Sequence, residues 1–162
     1  MIEIQPACPA DVPQILQFIH ELARFEHLEQ HVRATVTDLE TALFGPRPCA
    51  EVLLARLDGA PVGFALFFPN FSTFNGRAGI HLEDLYVTAH ARGRGVGRAL
   101  LQALARIAVA RQCVRIDWEV LAWNERALEF YRALGAQALD DWRLLRLGGA
   151  ALARLGEDLN AR

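Results

Sequence analysis

The residues with the plainest chemical meaning run from Thr88 to Arg98, Thr-Ala-His-Ala-Arg-Gly-Arg-Gly-Val-Gly-Arg. Glycine lets a backbone approach a ligand closely and adopt conformations other residues resist. A helix starting directly after such a loop presents unpaired N–H groups and a partial positive charge. Together these make a site for phosphate or diphosphate, and Arg92, Arg94 and Arg98 add positive charge. A nucleotide P-loop requires a lysine, and all 17 basic residues here are arginine. A dinucleotide-binding turn requires Gly-x-Gly-x-x-Gly close behind its strand, whereas Gly93, Gly95 and Gly97 are spaced Gly-x-Gly-x-Gly and stand well after Val87. Asp117 does fall about where a ribose-binding acid would sit, so that reading stays open. A merely flexible turn also stays open, but it explains neither the arginines nor the helix start.

The segment before the loop carries a second signal. Ile80 and Leu82 are apolar at even positions, Leu85 and Val87 at odd ones, and the phase breaks at Glu83-Asp84. A strand buried on both faces would read this way. So would a β-bulge, which shifts side-chain phase by one residue and frees backbone N–H groups to hold a carbonyl oxygen. A third signal is Asn124, a helix-capping residue, with Tyr131 seven positions on and therefore on the same helix face, as are Ala127 and Leu128.

These groups need a scaffold, and the periodicities supply one. Ile2 to Ile4 reads as a strand. Val12, Ile15, Leu16, Ile19 and Leu22 form one apolar stripe on a helix over 10–25. Thr37-Asp38-Leu39-Glu40 reads as a capping box opening a second helix that stops at Gly45-Pro46. Glu51 to Leu57 and Val62 to Phe68 read as a hairpin turning at Asp58-Gly59. Pro69 to Gly79 reads as a loop, Ile80 to Val87 as a strand, and Gly97 to Arg111 as a helix. Val114 to Leu121 follows as a strand with Ile116, Trp118 and Val120 on one face and Arg115, Asp117 and Glu119 on the other. A helix capped by Asn124 ends at Leu134-Gly135. Arg143 to Leu147 is a last strand, with a short helix after it. The order predicts an α/β domain with one central sheet, and 162 residues fit a single domain over 1–162.

Composition narrows the classes. Apolar residues make up 52% of the chain, which excludes intrinsic disorder. No apolar run reaches the roughly 18 residues of a membrane span, and Met1 to Pro6 does not read as a signal peptide, so a soluble cytoplasmic protein is expected. A net charge of −2 gives no general nucleic-acid footprint. Cys8, Cys49 and Cys113 are odd in number and widely spaced, predicting neither disulfide framework nor zinc site. His27 and His31 are four apart, but an exposed loop or helix end accounts for them, and no metal is expected. Cys113, at the start of a strand with no histidine paired in sequence, reads as a buried small residue rather than an acyl carrier.

Arg92 to Gly97 as written, Arg-x-x-Gly-x-Gly, resembles the acyl-CoA signature of the GCN5-related N-acetyltransferases (GNAT). Within that family the chain resembles the spermidine/spermine and thialysine acetyltransferases. The landmarks are Glu21-Leu22-Ala23-Arg24-Phe25-Glu26, Gly63-Phe64-Ala65, Leu82 to Val87, Arg92 to Gly97, Trp123-Asn124-Glu125, Phe130-Tyr131, Gly135-Ala136 and Trp142-Arg143-Leu144. The resemblance implies a GNAT fold, a central twisted mixed β-sheet splayed between strands 4 and 5 and flanked by helices. It also implies acetyl-CoA as cosubstrate. The acetyl and pantetheine parts would meet the backbone of Leu85, Tyr86 and Val87. The diphosphate would sit on the segment Gly93, Arg94, Gly95, Val96, Gly97 and Arg98, with Arg92 beside it, and Asn124 and Arg126 would lie along the pantetheine arm. Tyr131 matches the family's general acid, and Glu83 its substrate-contacting acid and candidate base. Phe25, Glu26, Asp117, Trp118, Glu119 and Asp140 carry over as substrate contacts, and a homodimer is implied.

The chemistry agrees with those roles. An alkyl amine with a pKa of about 10.4 must lose a proton before it attacks a thioester, at a cost of about 4.6 kcal/mol at pH 7. Glu83 is the best acceptor, acting through water, and Asp84, pointing the other way, reads as structural. Bulge N–H groups would polarise the thioester carbonyl, and a tyrosine can protonate a departing thiolate. Direct transfer needs no covalent intermediate. Three departures from the polyamine enzymes widen the acceptor to thialysine, another diamine or an amino-acid amine. Phe71 to Asn75 lacks an aspartate, His81 replaces an aromatic, and Arg126-Ala127 replaces a Pro-Ser-like pair. A non-catalytic acyl-CoA sensor and an acetyltransferase for another amine or a protein N-terminus remain the alternatives. Having both Glu83 and Tyr131 disfavours the sensor.

Overall fold

A computed structural model describes residues 1–158. It divides into two compact units, Met1–Glu119 and Val120 onward. In the first, the elements run β1 (Ile2–Pro6), α1 (Val12–Phe25), α2 (Val36–Phe44), β2 (Glu51–Leu57), β3 (Ala60–Ser72), β4 (Arg77–Val87), α3 (Val96–Ala110) and β5 (Ile116–Asp117). The strands form one mixed sheet in the order β1-β2-β3-β4-β5, antiparallel throughout except for the parallel β4–β5 pair.

The core forms on both faces of this sheet. On one face Val52, Leu54, Phe64 and Tyr86 meet Val12, Ile15 and Phe18 of α1 and Leu39 and Leu43 of α2. The Phe18 ring lies 5.9 Å from the rings of both Phe64 and Tyr86. Each such fully buried side chain contributes about 1.5–3 kcal/mol. The pleat sends Leu53, Ala65 and Phe67, all buried, to the other face. The third helix, with Val96, Leu100 and Leu104 buried, runs against β1 to β4.

Local chemistry explains the boundaries. Asp58 (φ 52°) and Gly59 (φ 83°) both take the left-handed conformation that a tight hairpin requires. The second helix is capped two residues earlier than expected, at Thr35 rather than Thr37. Thr35 accepts from the Asp38 N–H at 3.2 Å, and Asp38 accepts from the Thr35 N–H at 2.9 Å. Both threonines stand three residues before an acid, and starting at Val36 lets Val36 itself pack on the core. The expected loop over 69–79 is largely strand. β3 reaches Ser72, β4 starts at Arg77, and the turn occupies only 73–76. Pro69 is tolerated because β2 pairs β3 only as far as Phe67, leaving an edge for the missing N–H.

In the second unit, α4 (Glu125–Arg132) is capped by Asn124, whose Oδ1 accepts from the Ala127 N–H at 3.2 Å. The chain leaves the helix through Gly135 (φ 92°). There the N–H groups of Gly135 and Ala136 donate to the carbonyls of Arg132 and Tyr131, a Schellman-type ending. The last helix, α5, spans Gly149–Asp158. Arg143 to Leu147, expected to be a strand, has no regular structure. A strand exists only as part of a ladder, and among the described residues these five join none.

Candidate active site

The splay of the sheet is visible in its pairing. β4 and β5 are in register only at Ile80/Ile116 and His81/Asp117. The strand expected over 114–121 is therefore regular for two residues, and β4 continues to Val87 with its β5-side edge open. Thr88 donates its N–H to the Val62 carbonyl, so antiparallel alternation turns the backbone of Tyr86 toward β3 and that of Leu85 and Val87 toward the open edge. The Val87 carbonyl accepts from Arg92 Nε at 2.9 Å.

The broken alternation is a bulge. Leu66 pairs with Asp84 and Phe67 with Leu82, leaving Glu83 as the extra residue. One inserted residue moves Asp84 and Tyr86 to the α1 face while Ile80 and Leu82 stay on the opposite one. Glu83 is left half-exposed at the mouth of the splay.

Beyond Val87 the chain makes one 3-10 turn over 89–91 and enters the glycine loop. Gly93 (φ 76°) and Gly95 (φ 86°) are left-handed. Open space surrounds the Cα of Gly93, and only Ile2 Cδ1, 3.9 Å from where a Cβ would stand, approaches Gly95. Gly95 caps α3 without a side chain, so the first-turn amides of Val96, Gly97 and Arg98 are available to an anion. Arg94 and Arg98 are exposed beside them. This cradle fits a diphosphate. Arg92 is more deeply set, with its guanidinium 4.7 Å from the Phe25 ring centroid and 5.8 Å from that of Tyr86. It ties the loop to α1 and β4.

Carboxylates gather on the open side of β4. Asp84 is pushed up to about 6, first by burial and then by the charges of Glu83 and Glu26. Burial likewise raises Glu26, directly after α1. The phenol of Tyr86 donates to Glu21 Oε2 at 3.0 Å, and it is raised by burial and by that carboxylate. Asp117 is held by Arg115 Nε at 2.7 Å and accepts from Asn70 Nδ2 at 3.0 Å. Trp118 is half-buried and Glu119 exposed. Asp84, read from the sequence as structural, is the carboxyl whose surroundings most alter its protonation. The bulge that displaced Glu83 was the available signal, because it buries the very next residue.

Asn124, Arg126, Tyr131 and Asp140 belong to the second unit. Asn124 is occupied as the cap of α4, and Tyr131, half-buried, lies with its ring 5.3 Å from that of Phe130. Arg126 and Asp140 are exposed. Among the described residues no group of His, Cys, Asp and Glu could hold a metal ion. No described helix is long and apolar enough to cross a membrane.

A mixed sheet opened between β4 and β5, a bulge at the opening and a glycine-rich helix start are the parts of an acyl-transfer fold. The acetyltransferase (GNAT) family model matches residues 16–136, and the chain belongs to that family; it is an acyltransferase. Among its relatives, thialysine N-epsilon-acetyltransferase of Bos taurus is 35% identical, over 95% of this chain and 96% of the relative. L-ornithine N5-acetyltransferase of Arabidopsis thaliana is 32% identical, over 92% and 85%. An integron cassette protein from the mobile metagenome of V. cholerae superimposes with a TM-score of 0.80 at 28% identity, covering 96% of this chain and 98% of that one.

Proposed function

We propose that the protein transfers the acetyl group of acetyl-CoA to a primary amine of a small cationic acceptor, a diamine or polyamine, or a basic amino acid of the thialysine or ornithine type. The observation that carries this reading is the open edge of β4. At its bulged end stand Glu83 and Asp84, with Glu26, Asp117 and Glu119 as neighbouring acids. At its other end it leads into the Gly93 to Arg98 cradle. A cationic amine suits one end and a diphosphate the other.

In this reading acetyl-CoA supplies the thioester, held by the first-turn amides of α3, by Arg94 and Arg98, and by the outward backbone of Leu85 and Val87. Asn124 and Arg126 line its pantetheine arm. Glu83 receives the ammonium group and takes its proton through water. Asp84 adds a carboxyl set nearer neutrality, where a proton acceptor is most effective. Tyr131 returns a proton to the departing thiolate. Phe25, Trp118 and Asp140 complete the acceptor site. The relatives named for thialysine and ornithine support an amino-acid acceptor. Family resemblance and the exposed Trp142, Leu144 and Leu145 support a homodimer, and a cytoplasmic location suits both substrates.

Thiol release from acetyl-CoA, measured across spermidine, 1,4-diaminobutane, thialysine, ornithine and neutral amino acids, tests the assignment. Release with at least one of the cationic acceptors is expected. Release with none of them, or with neutral amino acids alone, overturns it.

A further inference from the structure

His81 stands where three strands meet. Its neighbours in register are Phe68 on β3 and Asp117 on β5. Its ring stacks on Phe68 with centroids 4.9 Å apart and planes 30° from parallel. That contact fixes the imidazole so that Nε2 lies 3.2 Å from Glu119 Oε2 and 3.5 Å from Glu83 Oε2. The His81 side chain is only 16% exposed, while those of Glu83 and Glu119 are 53% and 55% exposed. One inward, immobilised imidazole thus sits behind two outward carboxylates. Its remaining charged surroundings are Asp117, already paired with Arg115, and, further along β4 on the same face, Asp84 with the charge of Glu26 acting on it. Phe68 and Asn70 face it from β3 without charge.

Imidazole changes charge near pH 6.5, inside the physiological range. With the ring neutral, His81, Glu83 and Glu119 together carry two negative charges; with the ring protonated they carry one, and both carboxylates already have a cation at ion-pair distance. We propose that His81 is a built-in competitor for the cationic acceptor, a specificity-determining residue whose protonated ring engages Glu83 and Glu119 and whose neutral ring leaves them to an ammonium group. The inference rests on the acetyl-transfer reading for the identity of that acceptor. A dicationic acceptor gains more from the released charge than a monocationic one.

Protonation and acceptor binding are then linked, and the linkage is reciprocal. The probe is 1,4-diaminobutane, which stays dicationic at every pH used, since alkyl amines titrate near about 10.4. In the wild-type protein its Kd is expected to weaken about fivefold or more between about pH 8 and about pH 6. His81→Gln keeps an N–H donor but cannot titrate, and its Kd should change by no more than about twofold, the residue left by Asp84 titrating in the same range. Nuclear magnetic resonance of the His81 ring reads the same coupling without turnover, because saturating 1,4-diaminobutane must lower the pH at which the ring titrates. Parallel pH dependence in wild type and His81→Gln, or a His81 titration indifferent to the diamine, overturns this inference while leaving amine acetylation standing. Coupling without acetyl transfer to any cationic amine overturns the acetyl-transfer reading and keeps the competitor. Absence of both binding and transfer overturns both.

Discussion

Two adjacent carboxyls on the same strand meet different surroundings because Glu83 is the extra, bulged residue at the open edge, while the phase shift it causes carries Asp84 onto the α1 face. Glu83 stays half-exposed, whereas Asp84 is turned toward α1, where burial and two like charges hold its proton more tightly. A carboxyl with a raised folded pKa binds more protons folded than unfolded, so stability falls as pH rises from the ordinary range near 3.8 through about 6. Asp84→Asn should therefore stabilise the protein above that window, by up to about 3 kcal/mol, and bring no gain at about pH 3. Urea unfolding at the two pH values reads this directly, and equal effects at both would show that Asp84 is not carrying a buried charge. At the other end of the proposed reaction, Tyr131→Phe removes only a hydroxyl. Turnover is expected to fall about 100-fold or more, with acetyl-CoA affinity by calorimetry nearly unchanged. Full activity in that variant removes Tyr131 as the proton donor.

The glycine loop acts as an element rather than as separate residues. Its left-handed Gly95 sets the angle at which α3 starts, and an alanine there costs about 1–2 kcal/mol in backbone conformation, with no side-chain clash inside 3.9 Å. Gly95→Ala should lower stability by that amount in urea and weaken acetyl-CoA binding by about tenfold or more as the first-turn amides move. Replacing Arg94 and Arg98 together with alanine should instead leave stability unchanged within about 0.5 kcal/mol. It should also flatten the salt dependence of acetyl-CoA affinity, since both groups are exposed. Unchanged affinity in both variants would place the diphosphate elsewhere.

At the scale of the molecule, the segment 139–147 leaves Leu139, Trp142, Leu144, Leu145 and Leu147 exposed, Leu145 by 89%. Contiguous exposed apolar surface is typical of interaction sites, and these side chains are the ones the proposed homodimer would cover. If the protein is the homodimer proposed, sedimentation should give twice the chain mass, and Trp142→Glu should shift it toward the monomer. A wild-type protein that sediments as a monomer at micromolar concentration contradicts the dimer.

Periodicity and turn chemistry were enough to read α1, the β2–β3 hairpin, α3 and α4 from the sequence, because apolar spacing, Asp58-Gly59, Gly95 and Gly135 act within a few residues of themselves. The interruption at Glu83-Asp84 was legible as a break in phase, which a bulge or a strand buried on both faces would give, and the pairing with β3 decided for the bulge. What lay beyond local signals was pairing. A ladder needs a partner whose distance no local pattern encodes, so β3 and β4 extend further than their alternation suggested, β5 is shorter, and Arg143 to Leu147 forms no strand. The tertiary structure alone decided which acids share a field. It buried Asp84 within the field of Glu83 and Glu26, drew Arg92 onto Phe25, and set the imidazole of His81 beside Glu83 and Glu119, since charges distant in sequence interact only once folding has brought them near one another.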